Sequence, residues 1–425
     1  MGQTFAEKII ARAAGRKSVN PGEIVTCNVD LAMIHDASGP RRVKPHLERL
    51  GVNVWDNERV VVIADHYTPV ADASTAAILK LTREWIVEQG IARFHDGEGI
   101  CHVLLVEKGY LRPGMFVVGG DSHSPTGGAI GCFIFGVGAT DMAGILATGE
   151  TWIRVPETMR IEWTGRLGRG VVAKDIMLHL CGALGMGGGE YQVMQFSGSA
   201  IESLVMDERM TLCNMTAELT AQTGLIVPDK ITEAYLEKFG ADVAEAAAWQ
   251  PDADARYSAT HVFDASQLAP QVAAPHSPAN AAPVGEFSND RIDQAYIGAC
   301  TGSKLEDLHM AAELLSGRTV AKGVRLLVAP ASKATTIRAT HDGTLATLID
   351  AGATLVATGC AACAGFGQGV LADGETCISS TSRNFQGRMG SPQAQVYLGS
   401  PYTVAAAAVT GRICDPREFL TQGSA

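Results

Sequence analysis

Segments with strand character and segments with helix character take turns along most of this chain, and that alternation limits the folds open to it. Val60-Val61-Val62-Ile63 is a short β-branched run of the kind found in a buried strand. Ser74 to Gln89 follows as a helix, with Ile78, Leu81 and Trp85 on one face and Gly90 suited to end it. Phe116-Val117-Val118 is again a strand and runs into Gly119-Gly120. Beyond residue 290 the pattern resumes. Tyr296-Ile297-Gly298, Val324 to Val328, Thr354 to Ala357 and Cys377 to Ser379 are expected strands. Lys304 to Leu315 is an expected helix with Leu305, Leu308, Ala312 and Leu315 on one side, opened by a Ser303/Glu306 capping box. Pro401 fits the first turn of a last helix that Gly411 closes. Repeated βα units predict an α/β protein of several α/β/α lobes with mainly parallel sheets, whose ligands lie beyond the C-terminal ends of the strands. At 425 residues the chain exceeds one ordinary core. The reading divides it into an N-terminal α/β region, 1–264, of two lobes (roughly 1–130 and 131–264), a linker at 265–290, and a further α/β region, 291–425. The linker is marked by Pro270, Pro275, Pro278 and Pro283 among alanines and serines.

Composition narrows the function. Hydrophobic residues make up 46% of the chain, which fits a globular protein rather than a disordered one. The net charge of −11, with no run of lysine or arginine, speaks against nucleic acid as a partner. A few placed arginines can still bind a small anion. No segment reaches the ~18–20 apolar residues that span a bilayer. Met1 to Lys17 lacks the apolar stretch and small-residue cleavage site of a signal peptide. The expectation is a cytoplasmic protein without membrane association. Its ten cysteines are then thiols, metal ligands or core residues rather than a disulfide framework.

Three of those cysteines stand at expected strand ends in the last third. Cys360-Ala361-Ala362-Cys363 follows Thr354 to Ala357, and Cys300 follows Tyr296-Ile297-Gly298 just before a helix. Strand ends of one parallel sheet lie along one edge, so the three thiols are able to converge, and a helix N-terminus nearby favours their thiolate form. A structural zinc site is normally closed by four ligands, whereas three thiolates suit a cubane cluster that leaves one iron open as a Lewis acid. From spacing alone, a redox pair, a chance occurrence and a metal site all remain open. Cys27, Cys101, Cys132, Cys181, Cys213, Cys377 and Cys414 are scattered and read as small core residues.

Upstream, histidines sit beside carboxylates. Asp65-His66 follows the first strand, Asp121-Ser122-His123 follows Phe116 to Val118, and His102 follows Gly97-Glu98-Gly99. His35-Asp36 closes another possible strand, and Glu218 lies in Cys213 to Glu218. A carboxylate holding an imidazole fixes its tautomer and raises its pKa, which suits proton delivery to a leaving hydroxyl. Neighbours on a strand point to opposite faces, so adjacent residues need not pair, and each pair alone is as readily structural. Gly119-Gly120, Gly127-Gly128 and Gly136-Val137-Gly138 form no Gly-x-Gly-x-x-Gly between strand and helix, which argues against a dinucleotide site. They are read instead as places where backbone passes close to a ligand. Arg383 and Arg388, in Ser382 to Arg388, are candidates for gripping a carboxylate, or else surface arginines.

Taken together and in order, these stretches resemble the aconitase and isopropylmalate dehydratase superfamily over nearly the whole chain. The matching motifs are Val29-Asp30 to His35-Asp36, Ala64-Asp65-His66, Gly99-Ile100-Cys101-His102, Gly120 to Pro125, Cys213-Asn214-Met215, Gly298-Ala299-Cys300-Thr301, the Cys360/Cys363 pair and Ser382 to Arg388. The resemblance implies a hydro-lyase with one [4Fe–4S] cluster per chain on Cys300, Cys360 and Cys363, its fourth iron open to substrate. It implies that Asp65–His66 serves the leaving hydroxyl, that His102 pairs with Asp121 and His123 with Glu218, and that His35, Ser122 and Asn214 line the pocket. Arg383 and Arg388 would hold a substrate carboxylate or support the cluster. Full aconitases carry a further swivelling domain with a catalytic serine. A chain that stops at Ala425 therefore resembles domains 1–3 alone, the large subunit of a two-part enzyme whose small subunit carries that domain. Gly302 and Ser382 stand where the family usually has asparagine. Both shorten a side chain near the cluster or substrate, which either reshapes the pocket for a different acid or leaves a gap for a group of the partner to fill. The resemblance implies a small hydroxy-dicarboxylic acid as substrate, first of all 3-isopropylmalate of leucine biosynthesis. Homoaconitate, citraconate, maleate or a dimethylmalate are the competitors. A zinc-dependent hydrolase on the same cysteines and a non-catalytic RNA-binding relative are the readings from other classes.

Overall fold

The computed structural model describes residues 2–240, 249–288 and 290–420. The chain forms two compact units. The first comprises 1–97, 104–164 and 189–263, and the second 98–103, 165–188 and 264–425.

In the first unit the strands are β1 (Ile24–Asn28), β2 (Leu31–His35), β3 (Val60–Ala64), β4 (Arg93–Asp96), β5 (Phe116–Gly119), β6 (Phe133–Gly136), β7 (Glu150–Arg154), β8 (Thr158–Thr164), β9 (Val193–Ser197), β10 (Thr223–Ile226) and β11 (Thr260–Asp264). Five of them form a parallel sheet in the order β4-β3-β2-β5-β6. β2 and β3 are buried at every position, as a strand covered on both faces must be. Phe116, Phe133 and Phe135 pack with centroids 5.5–5.7 Å apart and join β5 to β6. The helix Ala73–Gln89 is capped by the Asp72 carboxylate, which accepts the Thr75 N–H, and ends at Gly90 in the left-handed region (φ 66°). Its buried face is Leu79, Thr82, Trp85 and Ile86, with Ile78 and Leu81 only half-buried, so the expected stripe is rotated. A second sheet has the order β10-β9-β8-β11, with β8, β9 and β10 parallel.

The second unit holds β12 (Gln271–Ala273), β13 (Ala281–Pro283), β14 (Gln294–Ile297), β15 (Arg325–Val328), β16 (Thr354–Leu355), β17 (Thr376–Ser379) and β18 (Gln395–Leu398), in the order β13-β12-β18-β17-β14-β15-β16. The five strands from β18 to β16 are parallel, and β12 is antiparallel to β18. The 265–290 stretch, read from its prolines as a linker, therefore contributes two sheet strands. Pro283 ends one of them at the sheet edge, where a residue without an N–H fits. The helix Leu305–Leu315 buries Leu305, Leu308, Ala312 and Leu315 as expected. Its cap lies one residue along: the Asp307 carboxylate accepts the Lys304 N–H at 2.9 Å, while Ser303 Oγ donates to the Ala299 carbonyl. β16 is two residues long where four were expected, and the chain runs on from it irregularly to Cys360. Residues 421–425 lie outside the described residues. Among the described residues no helix is long and apolar enough to cross a membrane.

Candidate active-site groups and cysteine centre

In the first unit, three strand ends bring the acid–base groups together, because parallel strands all point their C-terminal ends to one edge of the sheet. β2 delivers His35 and Asp36, β3 delivers Asp65 and His66, and β5 leads through Gly120 to Asp121 and His123. The donor atoms of His35, Asp36, Asp65 and His66 all lie within 4.8 Å of one another. Asp36 is fully buried and holds the next strand end by backbone: its Oδ1 accepts the Asp65 and His66 N–H groups at 3.3 and 3.1 Å, its Oδ2 that of Tyr67 at 2.8 Å. Burial, then repulsion from Asp65, raise the Asp36 pKa, against the pull of His66 and those N–H donors.

His66 Nδ1 lies 2.7 Å from Asp65 Oδ1. The two neighbours pair because both lie past the end of β3, where the alternation of a strand no longer separates them. Burial alone would lower the His66 pKa. The charge and hydrogen bond of Asp65, with Asp121 and Asp36 behind them, outweigh it and raise the value to about 9. His66 is therefore an imidazolium at neutral pH. Its Nδ1–H is committed to Asp65, and its Nε2 lies 4.0 Å from Asp121 Oδ2. The His35 ring stacks on it at 4.1 Å. The Ala37 N–H donates to His35 Nδ1 at 3.3 Å, so the proton of a neutral His35 sits on Nε2, which faces Ser38 Oγ at 2.7 Å and the Gly120 carbonyl at 3.1 Å, while Ser38 Oγ donates to that carbonyl at 2.8 Å.

His123 Nε2 meets Glu218 Oε1 at 2.8 Å, both buried. Asp121 accepts the His123 N–H at 2.8 Å. Asn214 is fully buried, and its amide donates to Thr126 Oγ1 (2.7 Å), which donates to the His123 carbonyl (2.7 Å), so Asn214 braces the turn that carries His123. Ser122 is exposed. His102 is buried in the helix Cys101–Glu107 and belongs to the second unit. The glycines of this region make room for protein. A Cβ at Gly119 would lie 1.9 Å from Ser124 Oγ, and one at Gly128 1.8 Å from the Gly224 carbonyl.

In the second unit, Cys300 follows β14, and Cys360 and Cys363 follow β16. Cys300 and Cys363 are buried and Cys360 half-buried, and no described cysteine is in a disulfide. Ala299 aims Cys300 from the left-handed region (φ 67°), a strained conformation for a residue with a Cβ. Two residues that the sequence did not mark lie near the cysteines. Lys174, fully buried on the helix Ala173–Leu184, donates to Thr301 Oγ1 (3.2 Å) and to the carbonyls of Ser380 (3.1 Å) and Thr381 (2.5 Å). Burial lowers its pKa to about 8, opposed by the nearby charges of Cys300 and Cys363. Tyr296, fully buried on β14, lies within the electrostatic reach of Cys363 and Cys360. One ammonium thus senses Cys300 and Cys363, and one phenol senses Cys363 and Cys360. Lys174 stands in Ala173-Lys174-Asp175, where one charge beside another gives no sign of burial, and Tyr296 in a strand carries no signal either.

Gly302 leaves no gap. A Cβ there would lie 2.1 Å from Ser380 Oγ, which accepts the Gly298 N–H at 3.0 Å and lies 3.2 Å from the Gly302 carbonyl. The space is filled from within the unit by Ser380. Ser382 is fully buried. Arg383 and Arg388 are half-buried, and Arg388 Nε is buried without a hydrogen-bond partner among the described residues.

Parallel sheets whose strand ends carry carboxylate-held imidazoles in one unit, and a buried lysine near cysteines in the other, define an α/β protein with groups suited to acid–base chemistry and a cluster of thiols. The chain belongs to the aconitase family: the family model, described as aconitase family (aconitate hydratase), matches residues 7–411. It is 47% identical to a 3-isopropylmalate dehydratase large subunit 1 of Methanopyrus kandleri, over 99% of this chain and all of that protein. It is 44% identical to a probable methanogen homoaconitase large subunit of Methanothermobacter thermautotrophicus and to a 3-isopropylmalate dehydratase large subunit 1 of Pyrococcus furiosus, in each case over 99% of both chains.

Proposed function

We propose that this chain is the cytoplasmic large subunit of an iron–sulfur hydro-lyase that moves water across a carbon–carbon bond of a small hydroxy-dicarboxylic acid, with 3-isopropylmalate as the substrate. The observation that carries the reading is the cysteine centre, in a chain that matches dehydratase large subunits from end to end.

The residues present fit a [4Fe–4S] cluster on Cys300, Cys360 and Cys363. The three hydrogen bonds of the buried Lys174 ammonium all go to uncharged oxygens, so its charge is met through space, by the Asp307 carboxylate and by anionic Cys300 and Cys363, which suits thiolates and a cluster. A structural zinc site is normally closed by four ligands, whereas three thiolates suit a cluster that leaves one iron open, so the donor set favours the cluster over the zinc hydrolase. When bound, a cluster with one iron left open supplies a Lewis acid for the departing hydroxyl.

The protein groups do the rest. Arg383 and Arg388 hold a substrate carboxylate, for which the unpartnered Arg388 Nε is available. A base from the small subunit takes the proton from one carbon, and the electron pair left behind forms the double bond. The C–O bond on the neighbouring carbon breaks, and His66, charged and oriented by Asp65, protonates the hydroxyl so that it leaves as water. Hydration is the reverse, with no net redox change. His123–Glu218 and His102 with Asp121 hold further protons in place, and His35, Ser122 and Asn214 shape the pocket. The test is anaerobic reconstitution of the chain with its small subunit, followed by absorbance of the new double bond across 3-isopropylmalate, homocitrate, citramalate, malate and dimethylmalate. Turnover of 3-isopropylmalate above the others is expected. Turnover of homocitrate alone would move the substrate to the homoaconitate reading, and turnover of none would reject the function.

A further inference from the structure

Tyr296 carries a hydroxyl that the fold does not use. The side chain is fully buried, and its oxygen has no hydrogen-bond partner among the described residues. Phenylalanine would fill the same volume without burying an unpaired polar atom, so the oxygen calls for an acceptor. Gly298, two residues before Cys300, packs against the hydroxyl end of the ring: a Cβ there would lie 2.2 Å from Tyr296 Cε1 and 2.6 Å from its oxygen. On the other ring edge a Cβ at Gly369 would lie 3.6 Å from Tyr296 Cε2 and 3.4 Å from the Cβ of Ala362, which sits between Cys360 and Cys363. The phenol is thus bounded by the Cys300 loop and by the Cys360/Cys363 turn. The other cysteine within reach, Cys377, is a fully buried thiol whose pKa burial pushes up to about 12, and a neutral thiol is a poor acceptor. Burial raises the Tyr296 pKa as well, so the hydroxyl keeps its proton.

We propose that the Tyr296 hydroxyl donates a hydrogen bond to the sulfur face of the cluster, to the thiolate of Cys360 or Cys363 or to a bridging sulfide, and thereby sets the cluster's reduction potential. The inference rests on the cluster reading above. A donor aimed at cluster sulfur withdraws electron density, favours the more reduced form and makes an electron harder to lose. Tyr296 is a positioning residue in this account and touches no substrate.

The test is Tyr296→Phe in the full-length chain, reconstituted anaerobically beside the unaltered protein. Iron and sulfide content, the midpoint potential from a titration followed by electron paramagnetic resonance, and the Fe–S stretching bands in H2O and D2O are read for both. The expected result is an unchanged cluster content, a midpoint shifted to more negative potential, and a smaller D2O shift of the Fe–S bands in the variant. Equal midpoints and equal D2O shifts in two fully loaded proteins would overturn the hydrogen bond and leave the cluster reading intact. An unaltered chain that takes up neither iron nor sulfide would overturn both. If the phenylalanine variant does not hold iron, 3-fluorotyrosine at position 296 decides, being a stronger donor of nearly the same shape. A positive shift of the midpoint supports the bond, and an unmoved midpoint overturns it.

Discussion

On the proposed scheme His66 is the side chain on which the proton chemistry turns, and its raised pKa follows first from Asp65, with Asp121 and Asp36 behind it. With a pKa raised to about 9 it remains charged through neutral pH, so an activity that needs the imidazolium should fall as pH rises through about 9. A kcat/KM profile checks this, and Asp65→Asn should move that limb to lower pH. His66→Gln should lose roughly 100- to 10,000-fold in kcat, the usual contribution of a positioned acid. The same shift acts on stability. The folded value lies above the ordinary 6.5, so the contribution is full below about pH 6.5 and is lost as pH rises through about 9. Gly302 tests packing: Gly302→Asn forces a side chain onto Ser380 and should cost about 1–3 kcal/mol, read by urea unfolding, with part regained in Gly302→Asn/Ser380→Gly. The Asp65–His66 and His123–Glu218 pairs and the strand-end places of Cys300, Cys360 and Cys363 were legible because few residue types do such chemistry and the motifs keep their order. Lys174 and Tyr296 were not, because what sets them apart is the burial of an ammonium whose hydrogen bonds go to uncharged oxygens and of a phenol with no partner among the described residues, which is a property of the fold alone.

Elements carry the next layer. Asp229 caps the helix Lys230–Glu237, accepting the Ile231 and Thr232 N–H groups, and also holds the fully buried Arg209, whose Nη1 and Nη2 donate to it at 2.7 and 2.6 Å. Those contacts outweigh burial and lower its pKa. Asp229→Ala removes a cap and strands a buried charge, with an expected loss of about 3–5 kcal/mol in chemical denaturation. Arg209→Met in the same background should recover part of it, because no unpaired charge is then left inside. Strands such as β3 and β5 were readable from β-branched and aromatic runs. β12 and β13 were not: three-residue strands among prolines leave no periodicity to detect, and only their pairing with each other, and that of β12 with β18, makes them strands. The capping box slipped by one residue for a related reason, since Asp307 takes the Lys304 N–H and the Lys304 ammonium at once, a double role a spacing rule does not weigh.

At the scale of the molecule, the chain is a member of the aconitase family, alike from end to end to the large subunits of two-part dehydratases. On the proposed scheme the base comes from the small subunit. The reconstituted chain alone should therefore turn over substrate at a small fraction of the rate seen with its partner, and adding the partner should restore it in a 1:1 titration. The cluster is the part on which everything else rests. Its most direct measurement is the iron and acid-labile sulfide content of the anaerobically reconstituted chain beside Cys360→Ser. About four irons and four sulfides per chain, falling sharply in the variant while the far-ultraviolet circular dichroism holds, is the predicted result. A colourless chain that binds zinc instead, or a variant that retains the full iron and sulfide content, would contradict it.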